Sequence, residues 1–116
     1  MSGTARVLLP LCASVLLAGC GSARKSEPLT QPVVLSDAAQ RGEVLFMRHC
    51  NQCHPGGEGG LAPALNDKPF PGFLKRFQVR HGLGAMPAFS KDQLGDREVD
   101  DIVFYLAALK NQPPAR

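Results

Sequence analysis

Cys50-Asn51-Gln52-Cys53-His54 is the stretch that most restricts what this chain of 116 residues can fold into. Two thiols three positions apart can reach the two vinyl groups of one porphyrin, and the imidazole that follows then lies under the metal. A neutral histidine nitrogen suits iron as a ligand. C-x-x-C pairs also occur in thioredoxin-like redox proteins and in zinc sites. The thioredoxin reading needs a βαβ setting, and the residues around Cys50 show none. A structural zinc site takes four ligands, yet neither a second Cys pair nor a His-x-x-x-His follows. The spacing therefore predicts one haem tethered by Cys50 and Cys53, with His54 on its iron, and most of the remaining chain as its wrapping.

A second signal lies downstream in Gly82-Leu83-Gly84-Ala85-Met86-Pro87-Ala88-Phe89. A lone methionine in an apolar run is more often core filler than ligand. Here Pro87 pushes Met86 out of the helical region, and Gly82 and Gly84 let the chain approach a flat group closely. Together, C-N-Q-C-H and the later G-A-M-P-A-F closely resemble class I cytochrome c, and the resemblance covers positions 36–110. It implies a small all-α fold of three to four helices around one covalent haem c, with His54 and Met86 as the two axial iron ligands. Leu61-Ala62-Pro63-Ala64-Leu65 resembles the family segment whose proline carbonyl accepts the proximal histidine's Nδ1 hydrogen. Proline lacks an N–H but keeps its acceptor, so Pro63 is expected to orient His54, with a plain turn as the alternative. His49 and His81 are expected at the surface, and a bis-His haem using His81 is the alternative to Met86.

The chain opens on what reads as a targeting segment, residues 1–19. Arg6 precedes an apolar run from Val7 to Ala18, too short to span a bilayer as a helix. The run ends Leu17-Ala18-Gly19-Cys20, which resembles the lipobox of bacterial lipoproteins, where cleavage before the cysteine leaves a lipidated N-terminus. An ordinary secretory signal is the alternative. Lipidation also accounts for an otherwise orphaned Cys20. With Cys12 lost in the signal and Cys50 and Cys53 on haem, no disulfide is expected despite export to an oxidising compartment. The expected place is the periplasmic side of a bacterial membrane, held there by the N-terminal lipid. Residues 20–35 are expected to be the lipidated end and a flexible tether, with Val33, Val34 and Leu35 packing on the domain. The cytochrome c domain should span 36–112, and 113–116 should be a disordered tail.

Within the domain, the first helix is expected from the N-cap Ser36 to about Cys50. Gly42-x-x-x-Phe46 resembles a first-helix signature in which the small residue lets the last helix cross closely. A merely tolerated glycine would cost about 1 kcal/mol against alanine. Residues 55–60 form a glycine-rich loop. A middle helix should span Pro71–Gly82, with Phe70, Phe73, Leu74 and Phe77 as its apolar face. Arg76 and Arg80 fall on another face, read as a solvated stripe or else a docking or propionate site. Ser90-Lys91-Asp92-Gln93 matches a capping box. Asp96 then opens the last helix, where Val99, Ile102, Leu106 and Leu109 recur at helical spacing. Ile102-x-x-Tyr105 resembles the family's closing contact with the first helix, or is simply a core stripe.

The formal charge is +3, and losing residues 1–19 removes only the charge of Arg6. Two haem propionates would offset most of the remainder, so no basic field points to nucleic acid. No acid, base or nucleophile constellation stands apart from the haem. The reading is a monomeric electron carrier between a redox donor protein and an acceptor, with apolar wrapping by Phe70, Phe73, Phe77 and Phe89 raising its potential. A fixed subunit of a larger oxidoreductase, or a haem enzyme or gas sensor whose Met86 leaves the iron, stay open.

Overall fold

The computed structural model describes Ser26 and residues 33–111. The signal segment 1–19 with Cys12, the expected lipidation site Cys20 and the tail 113–116 lie outside the described residues. Local signals set the helix ends. In α1 (Asp37–His49) the Ser36 hydroxyl accepts from the Ala39 N–H at 3.3 Å, and Asp37 sits at the positive end of the dipole. Helix α2 (Gly72–His81) begins after extended Pro71 and stops at Gly82, whose φ of 72° ends the helical path. Ser90 and Gln93 bond reciprocally, at 2.9 and 3.3 Å, and turn the chain toward α3 (Asp96–Lys110). Glu98 then accepts from the Gly95 N–H at 2.7 Å. A single 3₁₀ turn, Pro55–Gly57, follows His54. Among the described residues the β-type pairing is one isolated bridge, Leu83 to Met86, so the fold is small and all-α.

Helix α1 packs across α3, and the crossing is close because Gly42 has no side chain. A Cβ there would stand 1.9 Å from the Asp101 carbonyl oxygen. Beside it Phe46, fully buried, tilts against Tyr105 with ring centroids 5.3 Å apart. Leu94, Val99, Ile102, Leu106 and Leu109 complete the core. Arg41 on the rim of this contact pairs with Asp101 at 2.8 Å.

The structure adds two facts about α2. The residue it buries in the protein core is Val79; Leu74 is half-buried, and Phe70, Phe73 and Phe77 are 42, 71 and 56% exposed. Arg76 and Arg80, read as a solvated stripe or else a docking or propionate site, pair with Asp100 and Asp96 on α3. The reason is geometric. Gly72, Arg76 and Arg80 share the side of α2 that meets α3, and this turns Val79 inward and the phenylalanine stripe outward. Such solvent-exposed pairs add little to stability, so they set orientation more than stability. Val33 and Leu35 pack on the core as expected, whereas Val34 is 94% exposed.

Candidate functional site

The site grows out of the C-terminal end of α1. Cys50 caps that helix, and the Cys53 and His54 N–H groups both donate back to the Cys50 carbonyl, at 3.1 and 2.9 Å. Both thiols are free, Cys50 half-buried and Cys53 exposed. Burial, aided by the neighbouring Cys53, pushes the Cys50 thiol up to about 11. The Asn51 carboxamide accepts from the Gly56 N–H at 2.8 Å and pins the turn that follows, a role that nothing in the sequence pattern announced.

His54 is the imidazole that the fold buries, at 8% exposure. Its Nδ1–H donates to the Pro63 carbonyl at 2.8 Å, which leaves the other ring nitrogen as the free donor of a lone pair. Backbone bonds hold Pro63 in reach. Ala62 donates to Cys53 at 2.9 Å, and Leu65 and Asn66 both donate to the Gly57 carbonyl, at 2.8 and 3.1 Å. His81 is different: it is exposed, stacked on Phe77 at 4.1 Å, with its Nδ1–H on the Phe77 carbonyl of its own helix. His49 meets Phe89 edge-on at 6.0 Å.

Met86 is presented by a tight turn. Gly82 lies so close that a Cβ would stand 2.5 Å from the Met86 carbonyl oxygen. Leu83 and Met86 exchange backbone bonds at 3.2 and 3.0 Å, and Phe89 donates to the Val79 carbonyl at 2.9 Å. Arg80 reinforces the far side by donating to the Phe89 and Ser90 carbonyls, at 3.1 and 3.3 Å. The result brings Cys50, Leu65, Met86 and Phe89 against one core. Phe89 packs on that core, while Phe70, Phe73 and Phe77 are exposed on the protein surface.

The donor set fits a haem better than a bare ion. Among the described residues no three His, Cys, Asp or Glu side chains gather to hold a metal. One imidazole and one thioether suit an iron that already carries four porphyrin nitrogens, and two thiols beside the imidazole suit covalent attachment of that ring.

Comparison with known proteins agrees. A family model described as cytochrome C oxidase, cbb3-type, subunit III matches residues 37–106. Cytochrome c6 of Bryopsis maxima is 37% identical over 75 residues, covering 56% of this chain and 84% of the relative. Cytochrome c6 of Cyanidium caldarium is 32% identical over 84 residues, covering 64 and 73%. Cytochrome c6 of Gloeothece citriformis is 32% identical over 83 residues, covering 65 and 74%. No solved structure matches.

Proposed function

The chain belongs to the class I monohaem cytochromes c, electron carriers with one covalently bound haem c, and from that we propose a lipid-anchored carrier of single electrons in a bacterial respiratory or dehydrogenase chain. The bound haem supplies a one-electron couple at its iron. In this reading Cys50 and Cys53 would hold the ring by thioethers, and His54, through its second nitrogen, and Met86, through its sulfur, would ligate the iron and leave it no site for a substrate.

The observation that supports His54 as a ligand is its pairing with the Pro63 carbonyl. It fixes the tautomer, and it makes the imidazole a stronger ligand by accepting its other proton. The anchor rests on the Leu17-Ala18-Gly19-Cys20 run. No helix among the described residues is long and apolar enough to cross a membrane, so attachment to a bilayer would fall to that lipid.

Optical spectra of the haem-loaded protein test the reading. A weak sulfur-to-iron charge-transfer band in the far red of the oxidised form, and refusal of carbon monoxide by the reduced form, are the expected results. Absence of the band together with ready carbon monoxide binding would turn the reading toward a haem enzyme or sensor. A fixed place in a larger complex is the second reading, favoured by the oxidase-subunit description of the matching family. Co-purification of the chain with a terminal oxidase in mild detergent distinguishes it from a free carrier.

A further inference from the structure

Arg76 and Arg80 are engaged with aspartates of α3, so the two propionate carboxylates of a haem call for a different cation. The lysines and arginines of the described residues divide simply. Most are paired with an aspartate, as Arg41, Lys68 and Lys91 are, and the rest are exposed, with one exception. Lys75 is half-buried, and among the described residues no carboxylate stands within ion-pair reach of it. A buried charge without a partner is costly, so its place in the fold asks for an anion.

Lys75 stands one turn before Val79 on the same face of α2. Val79 is the residue that this helix buries, and it belongs to the core that Cys50, Leu65, Met86 and Phe89 pack against. Four residues of helix rise about 6 Å, a distance that a lysine stem spans while its ammonium stays at the margin. Burial, together with the like charge of Lys110 on α3, holds the Lys75 ammonium below the usual lysine range. A carboxylate beside it acts in the opposite direction. Haem carries its propionates on the two pyrroles that bear no vinyl group, so attachment at Cys50 and Cys53 leaves both carboxylates to other residues.

We infer that Lys75 binds one haem propionate, its ammonium donating to the carboxylate at the margin of the core around Val79. The lysine holds that propionate ionised, and the propionate supplies the partner that no aspartate or glutamate of the described residues provides. The inference needs only the covalent haem of this family; neither Met86 as a ligand nor the lipid anchor enters it.

The test uses the full-length, haem-loaded protein with heavy carbon at the propionate carboxyls, so that infrared difference spectra separate them from every aspartate and glutamate. A partly desolvated carboxyl without a cation titrates at roughly pH 5–7, whereas one paired with an ammonium stays ionised there. Lys75→Met, which keeps an unbranched stem and removes the charge, should shift the labelled carboxylate band and bring up a labelled protonated-carboxyl band in that window. Lys75→Gln repeats the measurement where the methionine variant does not fold. Lys75→Arg should restore the spectrum of the unmutated protein. Lys110→Gln removes a like charge from the same region and should leave the labelled bands as they are, which separates contact from net charge. Labelled bands that are the same in Lys75→Met and the unmutated protein at every pH overturn the inference, and so does an equal change in Lys110→Gln. Denaturing electrophoresis that leaves no haem on the unmutated band overturns the covalent haem and this contact together.

Discussion

Gly42 lies against the backbone of Asp101 so closely that any side chain would collide with the carbonyl oxygen, a Cβ standing only 1.9 Å from it. Two effects compete at this position. Alanine gains about 1 kcal/mol of helix propensity in α1, but overpacking against rigid backbone costs about 1–3 kcal/mol, and at this separation the two helices must move apart. Gly42→Ala should therefore lower the stability of the haem-loaded protein by about 1–3 kcal/mol. Urea unfolding followed at the haem absorbance measures it, and a stability equal to or above that of the unmutated chain would contradict the close crossing.

Covalent attachment has its own signature. Denaturing electrophoresis of the unmutated protein should leave haem peroxidase activity on the band, and Cys50→Ala with Cys53→Ala should remove it. Haem extractable from the unmutated protein by acidified acetone would refute the thioethers. A domain this small has little core to spare, so the double variant should also lose its cooperative helical melt.

Replacing Met86 separates ligand from core filler. Met86→Ala should open the iron to cyanide and carbon monoxide and lower the potential. Met86→His should keep six ligands and still lower the potential, because imidazole favours the ferric state more than a thioether does. Both should abolish the far-red band. Variants that retain it would exclude Met86 and point to another sulfur.

Acid should act partly through Asp96. Hydrogen bonds from Lys91 and Arg80 hold this carboxyl below the usual carboxylate range. The unfolded chain protonates it first, at about pH 4, so its contribution is complete above that and fades as the pH falls through the lower folded value. Asp96→Asn should lose stability at neutral pH, and the gap to the unmutated protein should close on acidification below pH ~4. Melts across that range check the convergence, and a constant gap would assign the loss to something other than charge.

Much of this architecture was legible because its signals are local. Ser36 opens α1, Gly82 closes α2, and the Ser90–Gln93 pair turns the chain toward α3, each through hydrogen bonds or backbone angles within a few residues of itself. The closeness of Gly42 to α3 was legible through family resemblance. The face of α2 was not: periodicity marks Phe73 and Phe77 as apolar without saying which side meets α3, and that is decided by Asp96 and Asp100 on a different helix. The bond from Ser26 to Glu58 was equally silent, since a backbone contact across 32 positions leaves no trace in side-chain pattern.

The small turn that presents Met86 bears on how fast electrons can move. Its backbone is tied to Leu83 in both directions, and the segment after it is tied to Val79 and Arg80. In the proposed ligand set, a sulfur carried on so short and braced an arm has little room to shift as the iron gains or loses its electron. The nuclear rearrangement that accompanies transfer is then small, much as a preorganised site avoids reorganising during reaction. Self-exchange between oxidised and reduced molecules should be fast for the distance between their haems. Loosening the brace at Arg80 should slow it before the fold gives way.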